Sequence, residues 1–172
     1  MTYSVLMSVY KNDSPNFLKL ALESIYEKQT RKPDEIVVVF DGPITDELHS
    51  VLNDFRVGKE DVVFYYPQEV NRGLGEALRI GSEKCTGDYI LRMDSDDISD
   101  PERFAKQIAY VEAHPEIDAL GADIAEFQNS EHEENKRVRV CPADHNDIVQ
   151  MGKKRNPMNH VTACIKRTAL LK

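Results

Sequence analysis

The feature that most constrains the fold is an alternation of short apolar runs with longer segments whose apolar residues recur at helical spacing. Four runs, residues 4–10, 36–40, 62–66 and 89–93, have the composition of strands that are buried on both faces. An amphipathic helix is predicted after each run. This order predicts right-handed crossovers and an α/β fold, in which helices cover both faces of a mainly parallel sheet.

Composition narrows the class of protein further. The 172 residues suit one domain, and 41% hydrophobic with 30% charged residues predicts a folded chain. The net charge of −8 argues against general nucleic-acid binding, which depends on clustered Lys and Arg. No apolar run approaches the ~20 residues of a membrane span. The N-terminus lacks the basic and apolar stretches of a secretory signal, so none is expected.

Three widely spaced cysteines, Cys85, Cys141 and Cys164, include no CxxC pair. We therefore expect neither a structural zinc site nor a disulfide framework. A reducing cytoplasm fits this cysteine usage best.

The pattern changes beyond Glu116, where shorter elements replace the regular alternation. The predicted elements are a strand over 117–127 broken at Gly121, a polar turn over 130–136, a returning strand at 138–140, a helix over 144–151 and a strand over 160–165.

Polar side chains follow the predicted strands, at the edge where parallel sheets bind their ligands. They are Ser8 and Tyr10 after the first run, Asp41 after the second, Asn71 and Arg72 after the third, and the cluster 94–97 after the fourth. Asp13 or Ser14 can cap the first helix.

Four carboxylates, those of Asp94, Asp96, Asp97 and Asp100, lie within seven residues after the fourth strand. Like charges this close raise one another's pKa or need a cation. Mg²⁺ suits them, since it typically takes one or two carboxylates and completes its shell with water and phosphates. The alternative is that Asp97 and Asp100 cap the next helix, and for Asp100 we adopt that interpretation.

The other candidates also have two interpretations each. Asp41 can accept a hydrogen bond from a base N–H or form a local turn before Gly42. Tyr10 can stack on a base or pack at the sheet edge, and Ser8 can bond a ligand or its own backbone. Arg72 can meet a phosphate at a helix N-terminus or lie at the surface. A lone histidine such as His160 is more often structural than catalytic.

Two phosphate-binding motifs are absent from the sequence. The glycine-rich segment 71–75 is not a dinucleotide fingerprint, because the third glycine position falls on Leu78. No P-loop pattern occurs anywhere. The basic run 153–155 is most simply a solvated face, although it would also suit an acidic substrate or a membrane surface.

Taken in order, these segments resemble the N-terminal part of a family 2 glycosyltransferase with the Rossmann-like GT-A fold. The resemblance covers nearly the whole chain and is closest to bacterial enzymes that build capsular or other exopolysaccharides. It is carried by the segments 4–10, 38–42, 71–75, 87–90, 94–97 and 101–104 and by His160.

The resemblance implies roles by position. Ser8 and Tyr10 would contact the nucleotide, with the Tyr10 ring against the base, and Asp41 would bond uracil. Asp94-Ser95-Asp96 would be the DXD motif, with Asp94 near the ribose and Asp96 holding Mg²⁺ or Mn²⁺ on the diphosphate. Arg72 would help to bind the donor. Asp97 and His160 would lie on the side of the site that faces the acceptor or the diphosphate.

The resemblance also implies a reaction. A sugar would leave a nucleotide-diphosphate donor, UDP being favoured by Asp41, and join a glycan or lipid-linked acceptor with inversion. Residues 1–100 would bind the donor, and 101–172 would begin a mixed acceptor-binding region. The enzyme would be cytoplasmic, with at most peripheral contact at the inner face of the membrane.

The family's general base usually lies beyond the strand that resembles 160–165, and this sequence stops at Lys172 before such a motif. We therefore expect a fragment that binds the donor weakly and transfers little. A nucleotide-sugar-binding module that lacks the base by nature remains open. A sugar-1-phosphate nucleotidyltransferase ranks lower, because residues 10–14 contain no glycine. A phosphatase ranks lower still, because its acid pair would follow the first strand.

Overall fold

The four apolar runs form four strands, as their composition predicts. A computed structural model of the chain describes residues 1–127 and 136–171. The strands are β1 (Tyr3–Val9), β2 (Glu35–Phe40), β3 (Val63–Pro67) and β4 (Tyr89–Met93). The helices that follow them are α1 (Pro15–Ile25), α2 (Asp46–Arg56), α3 (Leu74–Lys84) and α4 (Arg103–Ala113).

The rest of the described chain is built from shorter elements. They are β5 (Ala119–Leu120), β6 (Ile124–Glu126), β7 (Arg137–Arg139), α5 (His145–Gly152), a 3₁₀ turn (His160–Thr162), β8 (Cys164–Lys166) and α6 (Arg167–Leu170). β6 and β7 pair antiparallel, which confirms the predicted hairpin. Residues 130–135 of the predicted polar turn lie outside the described residues.

The central sheet has the strand order β3-β2-β1-β4-β8-β5. β1 to β4 are parallel, with Val5 opposite both Ile36 and Leu91, whereas β8 is antiparallel to β4 and β5. The sheet is therefore mainly parallel with a mixed edge, and the carboxyl ends of β1, β2 and β4 lie side by side.

The core has one apolar layer on each face of the sheet. Every residue of β2 is buried, which explains its uninterrupted apolar run. One layer packs α1, α2 and α4 against the sheet through side chains such as Leu22, Leu52 and Phe104. The other packs α3 against Leu6 and Val39, where a Cβ on Gly81 would overlap the Leu6 side chain. The helices thus cover both faces of the sheet.

The predicted strand over 160–165 is wrong over its first four residues. Residues 160–162 form a 3₁₀ turn, and the strand begins only at Cys164. The cause is local hydrogen bonding, because both the N–H and the Oγ1 of Thr162 donate to the carbonyl of Asn159, at 2.9 and 2.8 Å. Within the described ranges, no helix is both long and apolar enough to cross a bilayer.

Candidate functional site

The sheet edge formed by the carboxyl ends of β1, β2 and β4 opens onto a cavity of about 530 Å³, a size typical of small-molecule sites. The cavity is lined by the strand ends, the β1–α1 loop and the start of α3. Its lining residues are Ser8, Tyr10, Asn12, Asp13, Ser14, Phe17, Asp41, Asn71, Gly73, Leu74, Asp94, Ser95 and Asp96. Nine residues have a role implied by the resemblance, and six of them line this one cavity: Ser8, Tyr10, Asp41, Asp94, Ser95 and Asp96.

Asp41 is almost fully buried at the end of β2. Its two carboxylate oxygens accept hydrogen bonds from the backbone N–H groups of Arg72 and Gly73, at 2.7 and 2.9 Å. The interpretation as a purely local turn is wrong, because these donors lie 31 and 32 residues away along the chain. Each oxygen has a second lone pair, so the carboxylate can still accept from a ligand N–H.

Arg72 takes part in this arrangement through its backbone. Its side chain is exposed and lies outside the cavity lining. The pKa of Glu76 is lowered chiefly by the hydrogen bond from Arg79, with a smaller contribution from the charge of Arg72. Arg72 therefore contributes positive charge near the first turn of α3.

Asp94 has a charged partner within the protein. Both of its carboxylate oxygens accept hydrogen bonds from the guanidinium of Arg92, one of them at 2.8 Å. Arg92 is 6% exposed, and its Nε has no hydrogen-bond partner within residues 1–127 and 136–171. The prediction that the acid cluster needs a divalent cation is thus too strong for Asp94, whose charge Arg92 already offsets.

Asp96 differs from its neighbours, because it is exposed and faces the cavity. Asp97 is half-buried outside the cavity lining, and its pKa is raised by burial first and then by the charges of Asp94 and Asp96. Asp100 accepts a hydrogen bond from the N–H of Glu102 at 2.9 Å. The predicted capping role is wrong in position, because the N-cap of α4 is Glu102 and Asp100 lies two residues before it.

Asp13 is a cavity residue that the sequence analysis missed, since it was considered only as a helix cap. Ser14 is the N-cap of α1. Asp13 Oδ2 instead accepts hydrogen bonds from Ser95 Oγ at 2.8 Å and from the N–H of Tyr10 at 3.1 Å. Burial raises the pKa of Asp13, and the charges of Asp96 and Asp94 act in the same direction. A signal was available, because Asp13 lies in the loop directly after β1.

Apolar side chains also contribute to the cavity. Tyr10, Phe17 and Leu74 are 41%, 55% and 45% exposed, and all three line it. Exposed rings beside hydrogen-bonding groups suit a planar ligand such as a nucleobase. The sequence analysis identified Tyr10 but neither Phe17 nor Leu74.

His160 is not among the residues that line the cavity. Its pKa is lowered by burial and then by the charge of Arg92, while Asp94 acts in the opposite direction. His160 is therefore within electrostatic range of the Arg92–Asp94 pair.

A complete protein cage for a metal is absent from the described residues, where no group of three His, Cys, Asp or Glu could hold an ion. The cavity fits a different arrangement. Asp96 offers one free, exposed carboxylate, and Mg²⁺ typically binds one or two carboxylates and takes its remaining ligands from water and phosphate oxygens. The residues present thus fit a cation that arrives with a phosphorylated ligand.

Known proteins resemble this chain over nearly its whole length. The family model described as Glycosyl transferase family 2 matches residues 4–171. The amylovoran biosynthesis glycosyltransferase AmsE of Erwinia amylovora is 41% identical over 169 residues, which are 98% of this chain and 61% of that protein. The UDP-Gal:alpha-D-GlcNAc-diphosphoundecaprenol beta-1,3-galactosyltransferase of Escherichia coli is 34% identical over 172 residues, 99% of this chain and 60% of that protein.

This chain therefore spans about three fifths of the length of these relatives. Among solved structures, S. aureus TarS 1-349 in complex with UDP matches with a TM-score of 0.69 and 22% sequence identity, over 99% of this chain and 48% of that one. The likeness confirms the GT-A fold that the resemblance implied.

Proposed function

Since this chain belongs to glycosyl transferase family 2, we propose that its cavity binds a nucleotide-diphosphate sugar, with UDP as the nucleotide. The family assignment argues against the nucleotidyltransferase and phosphatase alternatives. The observation that carries the proposal is that one cavity joins a buried hydrogen-bond acceptor, Asp41, to an exposed carboxylate, Asp96, and to the ring of Tyr10.

The base would lie against Tyr10, with uracil N3–H donating to Asp41. The carboxylate of Asp41 is fixed by the N–H groups of Arg72 and Gly73, so the acceptor is held in place before the ligand arrives. Preorganisation of this kind lowers the entropic cost of binding. A carboxylate can accept from the N–H groups of uracil and of guanine alike. The choice of UDP is supported by the name of the Escherichia coli relative, which specifies a UDP-sugar donor. Ser8 and the exposed face of Phe17 would complete the nucleoside contacts.

The diphosphate would lie at the end of β4. Asp96 would hold Mg²⁺ or Mn²⁺ there, and the cation would offset the negative charge that develops on the leaving diphosphate. Asp94, held by Arg92, would lie near the ribose, and Ser95 would line the donor site beside it. Asp97 and His160, outside the cavity lining, would border the diphosphate and acceptor side.

The proposed reaction is transfer of the sugar to a glycan or lipid-linked acceptor with inversion. An in-line attack needs a general base to take the acceptor's proton. We assign to the residues of this chain the donor half of that reaction, with residues 1–100 as the donor-binding part. The name of the Escherichia coli relative specifies a diphosphoundecaprenol acceptor. A comparable acceptor would place this protein in the cytoplasm, in peripheral contact with the inner face of the membrane.

Calorimetric titration of the chain with UDP and with GDP, with and without Mn²⁺, tests the proposal. We expect UDP to bind more tightly than GDP and Mn²⁺ to strengthen UDP binding. Asp96→Ala should abolish the metal-dependent gain. Asp54→Ala, which removes an exposed acid on α2, is the matched control and should bind as the wild type does. Metal-dependent UDP binding that survives Asp96→Ala would contradict the metal role.

A further inference from the structure

Two loops at the cavity, one after β1 and one after β4, are joined by hydrogen bonds to a single carboxylate oxygen. Asp13 Oδ2 accepts one hydrogen bond from the backbone N–H of Tyr10, at 3.1 Å, and another from Ser95 Oγ, at 2.8 Å. Tyr10 and Ser95 belong to different loops, which follow β1 and β4. One oxygen atom therefore joins the residue proposed to face the base to the residue that precedes Asp96.

The far end of the acidic segment is held by other contacts. The N–H of Ser99 donates to Ser24 Oγ at 3.0 Å, and Gln29 Nε2 donates to the carbonyl of Asp100 at 2.8 Å. Ser24, Ser99 and Gln29 are all buried. Arg92 holds Asp94 on the other side of the segment. Between these two anchors, the hydrogen bond from Ser95 Oγ to Asp13 is the described side-chain hydrogen bond nearest to Asp96 along the chain.

An ionised carboxylate at position 13 lies in an unfavourable electrostatic environment. Burial raises the pKa of Asp13, and the charges of Asp96 and Asp94 further disfavour its ionised form. A carboxylate is, however, a stronger hydrogen-bond acceptor than a neutral group. The two hydrogen bonds on Oδ2 offset part of the repulsion and fix both loops.

We propose that Asp13 is a positioning residue, which holds Tyr10 and Asp96 in the relative arrangement that a nucleotide and its bound cation require. This inference rests on the proposed function, because it takes the cavity to bind a metal–nucleotide complex. Asp13 itself acts through Ser95 and the backbone of Tyr10 rather than on the sugar.

The test compares how much Mn²⁺ tightens UDP binding in five proteins: the wild type, Asp13→Ala, Asp13→Asn, Ser95→Ala and the Asp13→Ala/Ser95→Ala double variant. The measured quantity is the ratio of the UDP dissociation constant without Mn²⁺ to that with Mn²⁺. Loss of a hydrogen bond to a charged group should reduce this ratio about tenfold in Asp13→Ala. Ser95→Ala should reduce it in the same direction, and the double variant should be little worse than Asp13→Ala.

Asp13→Asn separates positioning from charge. Its amide oxygen can accept both hydrogen bonds, so it should recover most of the wild-type ratio. An Asn variant as impaired as the Ala variant would overturn the positioning role, and so would a wild-type ratio in Asp13→Ala. Ser95→Ala keeps the comparison decisive if Asp13→Ala does not fold. Absence of any Mn²⁺ effect in the wild type would overturn the proposed function itself, a result distinct from an unchanged ratio in the variants.

Discussion

Gly42 tests how the nucleotide side of the cavity is built. It follows Asp41 with φ +82, and a Cβ at this position would lie 2.6 Å from the backbone N of Asn71. Gly58 has a similar φ of +73, but a Cβ there would meet nothing within 4 Å. Gly58→Ala is thus a matched control, because it has the same unfavourable backbone conformation without the steric overlap.

The structure gives the expected magnitudes. Left-handed backbone costs a residue with a Cβ about 1–2 kcal/mol, and both alanine variants should lose that much stability. Gly42→Ala should lose a further ~1–3 kcal/mol, because the overlap is with backbone rather than with a flexible side chain. For a chain of this size, each kcal/mol of lost stability lowers the melting temperature by about 2–4 °C. Gly42→Ala should therefore melt at a lower temperature than Gly58→Ala.

Binding should distinguish the two variants as well. A shift of Asn71 moves the N–H groups of Arg72 and Gly73 away from Asp41, so Gly42→Ala should weaken UDP binding while Gly58→Ala should not. Urea denaturation and calorimetry measure the two effects. Equal losses of stability in both variants, with UDP binding unchanged, would refute the account of how the Asp41 carboxylate is held.

Two further predictions concern titratable groups. Burial raises the pKa of Cys85 and of Cys164 to about 12, which leaves about one thiolate in 10⁴ at pH 8. Iodoacetamide should therefore label the partly exposed Cys141 first and the other two cysteines only after unfolding. Similar labelling rates at all three cysteines would contradict the burial of Cys85 and Cys164. Burial and then Asp94 and Asp96 raise the pKa of Asp97, so its ionisation lowers folding stability as the pH rises above the unfolded value of about 3.9. Asp97→Asn should then stabilise the metal-free protein at pH 7 by up to about 1 kcal/mol and have no effect on stability at pH 3. Thermal denaturation at the two pH values measures this difference. Equal effects at both pH values would contradict the raised pKa of Asp97.

The order and type of the main elements could be predicted from the sequence, because a strand buried on both faces must be continuously apolar. The run 36–40 is the clearest case, and all of β2 is buried. The rule that ligands bind at strand ends also predicts Ser8, Asp41 and Asp96 at one edge of the sheet, and all three line the cavity.

The contacts within the site could not be predicted in the same way. Asp13 and Ser95 are 82 residues apart, and nothing in the local pattern of either loop predicts that they meet. The pairing of Arg92 with Asp94 was missed because Arg92 was counted within an apolar strand, where its burial is hidden by its neighbours. The 3₁₀ turn at His160 depends on hydrogen bonds between side chains and backbone, which override the strand propensity of the residues after it.

The central claim is that the cavity binds a uridine diphosphate whose cation is held by Asp96. A crystal of the protein grown with UDP and Mn²⁺ tests it most directly through the anomalous scattering of manganese. We predict an anomalous peak between the Asp96 carboxylate and the diphosphate, with the uracil ring against Tyr10 and its N3–H on Asp41. A peak elsewhere, or a cavity without nucleotide and with Asp96 directed away from it, would contradict the account.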